Sequence, residues 1–106
     1  MATPLVPEAT FQDLKAWVDS RPPNSVVGVT CDSGNCLLAT YYFHLTGKIV
    51  VVNTGVRFKR FDTGRGLLEW ETEVVRLFDR LADEKEITAD DPLLIEMMSY
   101  LEEVYP

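Results

Sequence analysis

Two cysteines and one histidine are the residues of this chain best suited to nucleophilic chemistry. Cys31 and Cys36 lie on either side of an Asp-Ser-Gly-Asn turn, and His44 follows Cys36 further along the chain. A thiol in the first turn of a helix gains thiolate character from the free backbone N–H groups and from the helix dipole. Cys36 is therefore the candidate reactive thiol if a helix begins at that position.

Residues that could activate this thiol are not well placed on the same helix. His44 would lie roughly 12 Å along the helix axis from Cys36 and on another side of the helix. The sequence contains no second histidine to act as a base. A buried Cys36 that packs as a small hydrophobic residue is the favoured interpretation, and a Cys-dependent enzyme is the weaker alternative.

Neither a metal ion nor a cofactor is predicted. A structural zinc site needs four ligands, usually Cys and His, and the chain offers three such residues. No nucleotide-binding glycine motif is present, since the Thr-Gly-Arg-Gly stretch at 63–66 matches neither a P-loop nor a dinucleotide fingerprint. A disulfide between Cys31 and Cys36 is left open, although a reducing compartment disfavours it.

Residues 56–66 form a basic hairpin segment. A basic strand beside an aromatic ring can contact phosphates and stack a base, and glycines ahead of a helix can direct backbone N–H groups at an anion. An edge strand kept soluble by its charges is the favoured alternative. The candidate anion-binding or nucleic-acid-binding residues are Arg57, Lys59, Arg60 and Arg65.

The charges of the chain are unevenly distributed. The net charge is −7 at neutral pH, and residues 67–106 contain twelve acids and three bases. An acidic C-terminal part opposes broad affinity for nucleic acid, because phosphate binding needs cations that are presented together. Acidic helices can meet a basic protein partner or mimic a nucleic-acid backbone, and a solvated helix face is the common alternative. We therefore expect a protein partner and disfavour nucleic acid, and a homodimer is left open.

Periodicity and capping residues predict an α+β fold with a small, mostly antiparallel sheet. Thr10 and Asp13 suit a capping box, and Asp91 followed by Pro92 suits the start of the last helix. The predicted helices cover residues 10–20, 36–46, 67–83 and 91–104. The predicted strands cover residues 26–30, 48–52 and 56–61.

Segment 36–46 and Gly28 each allow more than one structural interpretation. Segment 36–46 is apolar nearly all round, and Asn35 and Gly47 suit the two caps of a helix. Its aromatic and β-branched residues also alternate as they would in a strand. The caps favour the helix. Gly28, inside the first strand, indicates a bulge or the close approach of another backbone.

Length and composition predict one domain over residues 1–106, with residues 1–9 as a short N-terminal arm. The first residues lack the basic start and apolar run of a secretory signal. No apolar run reaches the roughly 20 residues of a membrane helix, so no membrane partner and a cytoplasmic location are expected. These features favour a small interaction or regulatory protein over an anion binder, and an anion binder over an enzyme.

Overall fold

The computed structural model describes residues 6–32, 34–54, 59–61 and 65–106, and at residues 53, 54, 59 and 60 it describes the backbone alone. Within this part, the chain forms four helices and two antiparallel sheets of two strands each, which is the predicted α+β class. The helices are α1 (Phe11–Asp19), α2 (Leu37–Thr46), α3 (Glu69–Phe78) and α4 (Pro92–Val104). The strands are β1 (Val26–Val29), β2 (Val52–Thr54), β3 (Lys59–Phe61) and β4 (Glu86–Thr88).

The predicted caps of the first and last helices are confirmed. The Thr10 hydroxyl accepts from the backbone N–H of Asp13 at 3.2 Å, and the Asp13 carboxylate accepts from the backbone N–H of Thr10 at 2.9 Å. The Asp91 carboxylate accepts from two backbone N–H groups in the first turn of α4, and Pro92 is the first helical residue. Each bond satisfies a donor that the helix itself leaves unpaired.

Segment 36–46 is the helix α2 and not a strand. Gly47 ends it with a φ of 72°, a left-handed conformation that glycine adopts without strain. The N-cap is Cys36, whose sulfur accepts from the backbone N–H of Ala39 at 3.4 Å. The prediction of Asn35 as the cap is wrong, because the Asn35 side chain is turned away and donates to Asp32 at 3.1 Å.

Strand β1 pairs with β4, a strand that the sequence did not predict. Gly28 lies opposite Ile87, and the register shifts between Val26 and Gly28 as it does at a β-bulge. A Cβ atom on Gly28 would lie 2.6 Å from the backbone nitrogen of Leu37. Both expectations for Gly28, a bulge and a close backbone, are confirmed.

The second sheet lies further along the chain than predicted. The strand predicted at 48–52 begins only at Val52, since its partner β3 lies opposite residues 52–54, with Val52 facing Phe61. Of the strand predicted at 56–61, residues 59–61 are strand β3, and residues 56–58 lie outside the described part.

Helix α3 is shorter than the predicted span of 67–83. It ends at Phe78 because the backbone N–H groups of Arg80 and Leu81 bond the carbonyls three residues earlier, at 3.2 and 3.1 Å. This tighter turn brings the Asp79 carboxylate to the backbone N–H of Cys31 at 3.0 Å. Asp79 therefore joins the end of α3 to the turn that follows β1.

One cluster of buried hydrophobic residues joins all four helices and both sheets. Helix α4 packs between α1 and α3. Lys15 of α1 forms an ion pair with Glu102 at 3.4 Å, and the Tyr105 hydroxyl, just after α4, donates to Glu69 of α3 at 3.4 Å. None of the described helices is both long and apolar enough to cross a lipid bilayer.

Candidate functional site

Arg65, a predicted anion-binding residue, is held by a carboxylate of this chain. Its guanidinium forms a two-pronged ion pair with Glu71, with both N–O distances at 2.9 Å. The Arg65 side chain is 10% exposed and the Glu71 side chain 0% exposed. The Tyr42 hydroxyl donates to the same carboxylate, and the backbone N–H of Leu68 donates to it at 2.7 Å.

The other donors of Arg65 fix the N-terminal arm. Its Nε donates to the carbonyl of Val6 at 3.1 Å, and one Nη donates to the carbonyl of Pro7 at 3.1 Å. The guanidinium also lies 4.7 Å from the ring centre of Phe61, within the range of a cation–π contact. Residues 6 and 7 of the predicted arm are thus tied to β3 and α3.

The predicted basic site is brought together only in part. The structure places the charge of Arg65 in this internal network, where Glu71 neutralises it. Arg57 and the side chains of Lys59 and Arg60 lie outside the described part. Anion or nucleic-acid binding by Arg57, Lys59 and Arg60 stays a prediction. Arg65 adds no unpaired positive charge to such a site, because its charge is already paired with Glu71.

Cys36, the candidate thiol, is buried at the start of α2. Burial raises the pKa of the Cys36 thiol to about 11. A thiol with a raised pKa is a weak nucleophile at neutral pH, which is the opposite of what a Cys-dependent enzyme needs. His44 is exposed on α2, and its ring lies 5.6 Å from the ring of Trp17.

Cys31 is exposed, and both cysteines are free thiols. The Cys31 thiol donates to the backbone carbonyl of Asp79 at 3.6 Å. Among the described residues, no group of three His, Cys, Asp or Glu side chains is arranged to hold a metal ion.

Helices α3 and α4 together form a surface that combines exposed apolar side chains with carboxylates. Leu93, Tyr100 and Val104 are 52%, 53% and 48% exposed. Their spacing of seven and four residues places them along one side of α4. We call this surface the acidic α3–α4 face. Its residues are Leu93, Tyr100 and Val104 together with Glu69, Glu73, Glu96 and Glu103.

The electrostatics of this face are negative. The pKa of Tyr105 is raised, first by desolvation and then by the nearby carboxylates of Glu69 and Glu73. Arg76 is the cation of α3 next to this surface, and it is held by Glu73 at 2.6 Å. The apolar row of Leu93, Tyr100 and Val104 is thus exposed on a surface that carries more carboxylates than unpaired cations.

Comparison with known proteins adds no assignment to this geometry, because no protein-family model, curated protein or solved structure matches the chain.

Two features of the site went unnoticed in the sequence. Glu71 lies on the buried side of α3 beside Trp70 and Val75. Its spacing of four, three and seven residues from Leu67, Val74 and Phe78 would have placed it on the apolar side of the helix. The row formed by Leu93, Tyr100 and Val104 cannot be recognised from the sequence, because the exposed residues of α4 are as hydrophobic as the buried ones.

Proposed function

We propose that this protein is a small cytoplasmic interaction module that binds a basic protein segment through the acidic α3–α4 face. The observation that carries the proposal is the exposed apolar row of Leu93, Tyr100 and Val104. Single exposed hydrophobic residues are common on protein surfaces. A row along one side of a helix, bordered by charged residues, is instead typical of an interaction surface.

The partner is argued from charge complementarity. Glu96 and Glu103 are exposed on α4, and Glu69 is exposed on α3. A segment that alternates apolar side chains with lysine or arginine, as a basic amphipathic helix does, would bury the row and meet the carboxylates. A second copy of this chain would bring like charges together, so the proposal commits to a basic partner rather than a homodimer.

The test uses a synthetic basic amphipathic helix with leucines on one face and lysines on the other. We expect saturable shifts in the backbone amide resonances of Leu93, Tyr100 and Val104 in a ¹⁵N-labelled sample. Tyr100→Ala should raise Kd about tenfold, since aromatic anchors carry much of the energy of such interfaces. Glu96→Gln with Glu103→Gln should weaken binding and reduce its salt dependence.

The matched control is Phe43→Ala, because Phe43 is 50% exposed on α2 and lines a pocket with Asn35 and Ile49, which are not residues of this face. The proposal is rejected if Phe43→Ala weakens binding as much as Tyr100→Ala does. It is also rejected if a peptide with glutamate in place of lysine binds equally well. A photo-reactive amino acid at position 100, compared with one at position 43, would then identify the natural partner.

A further inference from the structure

A second exposed apolar surface lies on α2. Phe43 is 50% exposed, and Ile49, just after the helix, is 73% exposed. These two side chains border a hollow of about 330 Å³, whose other lining residues are Gly34, Asn35, Ala39 and Thr40. We call Phe43, Ile49 and this hollow the α2 patch. Exposed apolar side chains that cluster in this way are typical of an interaction surface, whereas scattered ones are not.

The α2 patch occupies one side of the helix. Ala39, Thr40 and Phe43 are spaced by one, three and four residues, which places them on the same side of an α-helix. Leu45 is also exposed on α2, but it lines a separate groove together with Trp17. Phe43 and Leu45 thus face different surroundings, although both are apolar and about half exposed.

The distribution of acidic residues makes the α2 patch the surface on which a second copy of this chain meets the least repulsion. The chain carries 17 Asp and Glu residues, but none lies between Asp32 and Asp62. The hollow of the α2 patch is lined by uncharged residues. On the acidic α3–α4 face a second copy would bring like charges together, and a net charge of −7 makes such contacts unfavourable.

The two ends of α2 carry opposite charges. Asp32 precedes the helix, and its carboxylate accepts from the backbone N–H of Gly34 and from the side-chain amide of Asn35, both at 3.1 Å. Lys48 follows the helix and is exposed. Neither Asp32 nor Lys48 forms an ion pair within the described part of the chain. When two copies of α2 pack antiparallel, Asp32 of each copy lies at the same end as Lys48 of the other, so the charges are complementary across a two-fold axis.

We infer that two copies of this chain form a dimer through the α2 patch, with their α2 helices antiparallel. Phe43 of each copy packs into the hollow of the other copy, against Ala39. In an antiparallel pair the facing positions run in opposite directions along the two chains. An arrangement that sets Phe43 opposite Ala39 therefore also brings Lys48 to the turn that contains Gly34 and Asp32. A single register satisfies both the apolar contact and the two ion pairs.

The size of the α2 patch sets the strength of this dimer. Phe43 and Ile49 together expose roughly 200 Å² of apolar side chain, whereas a standard interface buries about 800 Å² from each partner. An aromatic side chain that fills a pocket of the partner still carries much of the binding energy of an interface. We expect a weak dimer with a Kd on the order of 100 μM.

Sedimentation velocity at concentrations from about tenfold below to about tenfold above this Kd tests for the dimer. We expect the weight-average sedimentation coefficient to rise with concentration from the monomer value toward the dimer value. Phe43→Ala and Ile49→Ala should each raise the dimer Kd at least about tenfold, and Leu45→Ala, the matched control, should leave it unchanged. Lys48→Glu should raise the Kd about fivefold. Lys85→Glu makes the same change in net charge at another exposed position and should have a smaller effect.

A spin label on the exposed Cys31 determines how the two copies are oriented. Unenriched protein that carries the label is mixed with ¹⁵N-labelled Cys31→Ser protein, so that any broadening arises between copies. In the antiparallel dimer, Cys31 of one copy lies near the end of α2 in the other, and the amide resonances of Gly47 and Lys48 should broaden. Broadening at Asn35 instead of Lys48 would reject the antiparallel arrangement.

Two further outcomes would overturn the inference. One is a protein that stays monomeric over the whole concentration range. The other is a dimer that Tyr100→Ala disrupts and Phe43→Ala does not, because such a dimer would form through the acidic α3–α4 face. Neither Phe43 nor Ile49 belongs to that face, so the dimer and the binding of a basic partner are tested separately.

Discussion

Glu71 shows how a charged side chain can form part of the hydrophobic core. Its carboxylate is fully buried and accepts hydrogen bonds from Arg65, Tyr42 and the backbone of Leu68. A buried charge is tolerated when such partners replace water. The sequence suggested an external anion for Arg65, and the structure shows that its anionic partner is the Glu71 carboxylate of the same chain. Helical spacing could have placed Glu71 inside, but no local pattern pairs it with a residue in the preceding loop.

Glu71→Gln should destabilise the protein strongly. The guanidinium of Arg65 would stay buried without a counter-charge, at a cost of about 3–5 kcal/mol in the free energy of unfolding. Urea denaturation followed by circular dichroism measures this. Glu73→Gln is the control, because its ion pair with Arg76 is exposed and should add little. Equal midpoints for the two variants would show that the buried pair does not support the fold. Replacing Arg65 and Glu71 together by Met and Leu should recover much of the loss.

The two cysteines should differ sharply in reactivity. Cys31 is exposed, whereas the pKa of buried Cys36 is raised from 9.0 to about 11, so roughly one part in ten thousand is thiolate at pH 7. In Cys31→Ser, a thiol reagent should label Cys36 slowly unless the protein unfolds. Because the folded pKa is the higher one, this thiol stabilises the fold fully below pH 9 and loses that effect as the pH rises through 11. Fast labelling at pH 7 would instead revive the Cys-dependent enzyme hypothesis.

The helices that were predicted correctly are those whose ends carry strong local signals in the sequence. Thr10, Asp91 and Gly47 mark helix ends through bonds that are made within a few residues of each other. Strand β4 was not predicted because Glu86–Thr88 is only three residues long. It also has no neighbouring strand in the sequence with which it could form a hairpin. Its pairing with β1 joins segments far apart in the chain, and periodicity carries no information about such distant partners.

Gly28→Ala should destabilise the protein through a clash between elements. The new Cβ would lie 2.6 Å from the Leu37 backbone nitrogen and 2.9 Å from the Cys36 carbonyl carbon. Backbone atoms cannot rotate away, so β1 and the start of α2 must separate, at about 1–3 kcal/mol. Thermal unfolding measures the loss. Gly34→Ala is the matched control, since its nearest described neighbour would be 3.8 Å away. Similar melting temperatures for both variants would mean that β1 and α2 are not so tightly apposed.

For the molecule as a whole, composition predicted the acidic C-terminal helices. Helix α4 packs between α1 and α3, and it leaves Leu93, Tyr100 and Val104 exposed. Composition carried no information about the N-terminal arm. The arm is fixed by Arg65, whose Nε donates to the carbonyl of Val6, 59 positions away in the chain.

The basic hairpin segment should bind nucleic acid only weakly. Arg65 is neutralised by Glu71, which leaves Arg57, Lys59 and Arg60 to attract phosphates against a net charge of −7. Counterion release grows with the number of cations that meet the phosphates together. We expect no binding to random single-stranded or double-stranded DNA tighter than roughly 10 μM at physiological salt, which is weaker than dedicated binders achieve.

Fluorescence anisotropy with labelled DNA at two salt concentrations tests this expectation. At physiological ionic strength the Debye length is about 8 Å, so the acidic helices repel DNA only where it comes near them, and low salt should reveal at most weak binding. Tight binding that falls steeply with salt, and that is lost in Arg57→Glu with Lys59→Glu, would contradict the prediction. Because those substitutions leave Leu93, Tyr100 and Val104 in place, that result would assign the function to the basic segment rather than to the acidic α3–α4 face.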